Sequence, residues 1–233
     1  MSTEMSRDTV EFLRHEVCRV GKSLFDRGYV HGSTGNISVR LPGVNTHGSP
    51  NGFLITPTDA CLGFLTPEKL AHVDFEGRQL SGDRASKTLV LHRRIYEAAP
   101  EAMCVIHTHS SWLVDLTLRG VWTNADIVPP LTPYYVMKVG HVPLIPYFNP
   151  GDARVAELVA QSIAQHASRG LKLRAVMCDR LGPQVWNETP SSAMATLEEL
   201  EETAKLWLRG GCGATPLSED AIEALRKQFA VSW

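Results

Sequence analysis

Met103-Cys104-Val105-Ile106-His107-Thr108-His109 is the stretch on which the reading of this chain turns. Its first four residues are apolar and partly β-branched, which predicts a buried strand. His107 and His109 stand at the end of that strand. Side chains two apart on a strand share a face, so the two imidazoles can grip one metal ion. A zinc centre takes about three protein ligands, so the pair is part of a site at most. With nine histidines in 233 residues, two will also fall two apart by chance.

Outward from this strand the chain alternates between helical and extended patterns. Val10, Leu13, Val17, Val20 and Leu24 recur at spacings of three and four, predicting an amphipathic helix that stops near Gly28. Strand-like runs follow at 37–40 and 53–56, with a loop over 41–51 between them. Thr66-Pro67-Glu68 predicts an N-cap, Pro at the first helical position and a short helical turn. Residues 72–75 alternate like a strand. Helices are expected over 86–99, from Ser110 or Ser111 to 119, and from Gly151-Asp152 to about 167. The proline-rich segment 126–150 reads as loop and short strand. Buried strands are expected at 173–178 and 184–186, with closing helices at 191–209 and 217–229. This mixture predicts one α/β domain over 1–233, with a central sheet between helices.

Bulk properties exclude some classes. A formal charge of −2 gives no electrostatic pull toward nucleic acid. No run of about eighteen apolar residues is present, so no membrane span is expected. Residues 1–14 are polar and charged and do not read as a secretory signal. The five cysteines carry no C-x-x-C spacing, which suits reduced thiols and a cytoplasmic protein. In Gly32-Ser33-Thr34-Gly35-Asn36, backbone amides, hydroxyls and a side-chain amide can form an anion-binding concavity, or simply a turn. It is neither a P-loop nor a dinucleotide fingerprint.

Several motifs stand in a fixed order: Gly32-Ser33-Thr34-Gly35-Asn36-Ile37-Ser38, Ile55-Thr56-Pro57-Thr58, Ser86 on a helix ending in His92, His107-Thr108-His109-Ser110, Thr132-Pro133-Tyr134, and the 198–206 helix. Over roughly residues 10–230 this order resembles the class II aldolase/adducin family. Within it the chain is most similar to the branch that decarboxylates 3-oxo-tetronate 4-phosphates, through stretches such as Arg27-Gly28-Tyr29, Leu80-Ser81-Gly82-Asp83 and Pro150-Gly151-Asp152. The resemblance implies a three-layer α/β/α sandwich with a central mixed, mainly antiparallel sheet, assembled as a homotetramer. It implies one divalent metal, zinc above manganese or iron, on His107, His109 and a third His. That metal would act as a Lewis acid on an enediolate. It implies that Ser33, Gly35, Asn36, Thr58, Ser86 and Lys87 hold a small anionic, phosphorylated substrate. Tyr134, reaching in from a neighbouring subunit in some members, would protonate the product.

Three positions depart from the family pattern. Thr88 stands where a catalytic carboxylate is usual, and a hydroxyl has no accessible pKa for base work near neutral pH. Leu181 stands where the third metal-binding His is usual. Cys178, Asp179, His141 and His166 are the other donors at hand. Asp59 stands where a Gly usually follows Thr58, and its charge would repel a dianion unless it is a turn residue pointing away.

The expected function is therefore a metal-assisted carbon–carbon lyase, a decarboxylase or aldolase of a small oxidised sugar acid. A non-catalytic binding or structural member is the first alternative. An enzyme repurposed for a non-phosphorylated or aromatic acid is the second, with Trp112, Trp122, Tyr134 and Tyr135 near the presumed cleft. His15, His47 and His166 read as solvated, His72 as half-exposed, and His92 as structural or surface-facing. Glu198 to Glu202 read as an exposed acidic helix start.

Overall fold

The computed structural model describes residues 7–43, 51–231 and 233. His47, residues 1–6 of the polar start and most of the 41–51 loop lie outside the described residues.

Eight strands form one sheet: β1 (Asn36–Arg40), β2 (Phe53–Ile55), β3 (Ala71–Val73), β4 (Gln79–Ser81), β5 (Cys104–His107), β6 (Leu144–Ile145), β7 (Ala175–Cys178) and β8 (Gly182–Asn187). Their spatial order is β4-β3-β2-β1-β5-β8-β7-β6. Every neighbouring pair is antiparallel except β6 with β7, which is parallel. The helices are α1 (Arg7–Asp26), α2 (Leu89–Ala98), α3 (Ser111–Arg119), α4 (Pro133–Lys138), α5 (Arg154–Ala167), α6 (Pro190–Arg209) and α7 (Glu219–Phe229).

Alternation along the central strands sorts the core into two layers. Cys104 and Ile106 of β5 join Val17, Leu24, Leu113, Leu197 and Leu200 beneath α1, α3 and α6. Val105 points the other way, with Trp186, Ile95, Tyr96, Val159 and Ile163 beneath α2 and α5. The mixed, mainly antiparallel three-layer architecture is the one expected.

Four local readings are corrected. Helix α2 begins at Leu89 rather than Ser86: Ser86 O accepts the N–H of Leu89, three residues on, so 86–89 form a turn, and the helical pattern starts from Thr88 O, which accepts the N–H of His92. Helix α4 forms inside the proline-rich segment, where Thr132 Oγ1 accepts the Tyr135 N–H at 3.0 Å and Pro133 takes the first position. Thr66 precedes a 3-10 turn over Pro67–Lys69, but its hydroxyl goes to Glu68 rather than capping the backbone. Glu201 lies within the acidic run read as exposed, yet it is buried. Its carboxylate accepts the N–H groups of Trp112 and Leu113 at 3.0 Å each, closing the first turn of α3 from a distant helix.

His92 is fully buried, not surface-facing. Ser38 Oγ lies 2.7 Å from its Nδ1 and 2.7 Å from the Tyr96 hydroxyl. Burial, and then the nearby His107, bring the His92 imidazole down to about 3. Its folded value thus lies below the ordinary one, so the unfolded chain binds more protons between the two. Stability is expected to fall as pH drops from about 6.5 toward 3, by up to about 1.4 kcal/mol per pH unit for this group. Urea unfolding across that range should show a shallower acid limb in His92→Gln, which has nothing to protonate.

Candidate active site

The end of β5 is gripped by two glycines. Gly35, at a φ of 82°, would put a Cβ 2.8 Å from His107 O. Gly182, at a φ of 131°, would put one 1.9 Å from Thr108 O, with His109 Cα at 3.3 Å. Only glycine lets these backbones approach so closely. The loop before β1 and the start of β8 are thereby held close against the end of β5.

Register completes the arrangement. Asn36 of β1 pairs with His107, and His107 pairs with Gln184 of β8. The three side chains form one row on the sheet face that looks toward α2 and α5. All three are buried and line one cavity of about 360 Å³, a volume suited to a small ligand.

That cavity brings together Ser33, Gly35, Asn36, Thr58, Ser86, Lys87, Thr88, His107 and His109, the predicted residues with one exception. Asn149 to Ala153, with Val155 and Ala156, close the side toward α5. Lys87 is the one Lys or Arg among the lining residues. Tyr134 is the exception. It is 63% exposed and lines a separate groove with Arg27, Tyr29 and Glu198, so a single chain does not deliver it to the histidines. The lining residues include no Phe, Tyr or Trp, and Tyr135 is buried in the core. Sequence reasoning missed Gln184, because a three-residue strand reading carries no register.

The histidines are held as neutral ligands or acceptors. His107 Nδ1 lies 2.8 Å from Pro183 O. A carbonyl only accepts, so Nδ1 carries the proton and Nε2 keeps its lone pair. Burial, then His109, bring His107 down to about 4. Burial, then His31, lower half-buried His109 as well. The two rings meet edge to face with centroids 4.9 Å apart.

The residues present do not fit a three-ligand metal centre. Leu181, at the position where the resemblance implies a third imidazole, lines the cavity with an alkyl side chain. Among the described residues, no three His, Cys, Asp or Glu side chains cluster closely enough to hold a metal ion. Cys178 lines the cavity, but burial pushes its thiol up to about 12, away from the thiolate that ligates. His141 faces Asp126 and stacks on Trp233 instead.

Asp59 lines the same cavity and sits at a φ of 57°, in the left-handed region. Asp59→Gly is expected to relieve up to about 1 kcal/mol of backbone strain. Removing the charge should also tighten a phosphate-bearing ligand about tenfold. Thermal melts and phosphate-ester titrations of the variant check both.

Residues 15–208 match the family profile of the class II aldolase and adducin N-terminal domain, and the chain belongs to that family. The family generally uses a divalent metal and acts on small molecules. A 3-oxo-tetronate 4-phosphate decarboxylase of Cupriavidus necator is 51% identical over 238 aligned residues, covering 100% of both chains. One from Escherichia coli is 42% identical over 83% of this chain and 85% of its own length. The crystal structure of Escherichia coli YgbL superposes with a TM-score of 0.82 at 37% identity, over 94% of this chain and 99% of that one. These likenesses set the chain among the class II aldolase-type lyases.

Proposed function

We propose that this chain removes carbon dioxide from a four-carbon 3-oxo sugar acid carrying a 4-phosphate. One observation carries the reading: the anion cradle and the histidine pair share a single cavity sized for such a molecule. In a 3-oxo acid the C1–C2 bond electrons flow into the C3 ketone as carbon dioxide leaves, giving an enolate that takes a proton at C2. Bond cleavage needs no base, whereas aldol cleavage must first deprotonate a hydroxyl. A chain with Thr88 at the usual carboxylate position is therefore better suited to decarboxylation than to aldol cleavage.

Lys87, with the donors of Ser33 to Asn36, Thr58 and Ser86, would hold the phosphate. The neutral imidazoles would accept the hydroxyl protons of the sugar. Zinc is the ion that an imidazole pair suits best, yet with Leu181 as third neighbour it would lean on water or substrate oxygens and be held weakly. Tyr134 lies outside its own chain's cavity and is exposed, which is compatible with a homotetramer in which another copy supplies it to protonate C2. Five free cysteines support a cytoplasmic setting. No helix among the described residues is long and apolar enough to cross a membrane.

Carbon dioxide release from freshly generated 3-oxo-tetronate 4-phosphate tests the reading. Wild type should turn it over, and Lys87→Met should raise KM at least tenfold. Thr88 and Leu181 favour one second reading, a non-catalytic binding subunit. Saturable binding of the acid without release of carbon dioxide would establish that reading instead.

A further inference from the structure

We infer that Gln184 is a specificity-determining residue that reads the 2-hydroxy carboxylate end of the ligand, an assignment that rests on the phosphorylated-acid reading above. Gln184 is 2% exposed and lines the cavity, and its Oε1 has no hydrogen-bond partner among the described residues. Buried polar atoms are nearly always paired. The same face of β8 carries an apolar side chain two residues on, at Trp186, and the neighbouring strand offers Val176 as register partner. An apolar residue at 184 would continue that layer. A buried amide with a free carbonyl, facing a cavity, is built for something that enters the cavity.

Position decides which end of the ligand it meets. Gln184 and Asn36 flank His107 on opposite sides. With adjacent strands about 4.8 Å apart, they stand about 10 Å from one another. The phosphate cradle belongs to the Asn36 side, with the loop before β1. A four-carbon acid whose phosphate rests there presents its C1 carboxylate and C2 hydroxyl toward Gln184. A primary amide matches that pair: its N–H donates to the carboxylate while its carbonyl accepts from the adjacent hydroxyl. The hold is also neutral. Lys87 is the one cation of the cavity lining and serves the other end, so no ion pair opposes loss of the carboxylate charge as carbon dioxide departs.

Titration of two probes tests this: 4-phosphoerythronate, which has both ends but no ketone to react, and propyl phosphate, which has the phosphate alone. Gln184→Met keeps the volume and removes the amide. It should weaken 4-phosphoerythronate at least tenfold and leave propyl phosphate within about twofold. Its melting temperature should stay level or rise, since an unpaired buried carbonyl is gone; a merely structural glutamine would lose stability instead. Gln184→Glu, close in shape, should exclude 4-phosphoerythronate further by placing a negative charge against the carboxylate. Equal losses on both probes, or no loss on either, would overturn the assignment to Gln184 while leaving the phosphorylated-acid reading in place. A wild type that binds neither probe would overturn both.

Discussion

Leu181→His combined with Thr88→Glu is expected to turn the pair of imidazoles at His107 and His109 into a site that keeps about one equivalent of divalent metal through dialysis. The geometry supports the first change directly. Gly182 is wedged against Thr108 and His109, so the residue before it is held beside the pair, and its side chain already lines the cavity. His107 is pre-set as a ligand, with Nδ1–H tied to Pro183 O and Nε2 bare. A third imidazole completes the three-donor set typical of catalytic zinc. The gain in affinity should be at least about a hundredfold, since even outer-shell partners are worth 10–100-fold. The carboxylate at 88 would stand beside Ser86, 2.9 Å from the present Thr88 hydroxyl, at the mouth of α2. It would supply the base that aldol cleavage needs. Elemental analysis and competition with a chromophoric chelator read the first effect, and cleavage of a ketose phosphate reads the second. Tight stoichiometric metal in the wild-type protein would refute the account of Leu181.

Glu201→Ala should produce the largest loss of stability of any single change considered, about 3 kcal/mol or more. The carboxylate receives two backbone N–H groups of α3 while nearly out of contact with water. Hydrogen bonds to charged groups contribute about 1.5–3 kcal/mol each, and truncation leaves both amides orphaned. Burial raises this carboxyl to about 6 against the pull of the two amides. Because α3 starts two residues after His109, loosening its first turn should also disturb the histidine pair. Chemical denaturation measures the stability. Binding of 4-phosphoerythronate to the still-folded fraction measures the second effect, with Glu201→Gln expected to retain part of both.

The sequence carried the elements well where periodicity was strong, as in α1, α6 and β5. It did not carry what depends on partners. The six-residue α4 is hidden by the prolines around it, and only the Thr132 cap marks it. Glu201 reads as one more charge in a charged run, because burial is decided by a helix ninety residues away. That Ser33, Gly35, Asn36, Thr58, Ser86 and Lys87 stand together was legible through the order of motifs, and so was the presence of Thr88 and Leu181 beside them. Gln184 was not, because its meaning lies in which residues stand opposite it on neighbouring strands. Tyr134 was assigned through resemblance alone, and its distance from the histidines of its own chain is a fact of three-dimensional placement.

The row of Asn36, His107 and Gln184 has a consequence for how this protein comes into being. Its members lie 71 and then 77 residues apart in the chain, and they meet only through register across the centre of the sheet. Such distant pairings close slowly, because chain entropy is lost before contacts compensate for it. The binding cavity therefore exists only once these long-range pairings have closed, and no segment of the chain owns it. A ligand that fills it acts as a clasp on the whole sheet, stabilising by mass action the one state in which all three strands are aligned.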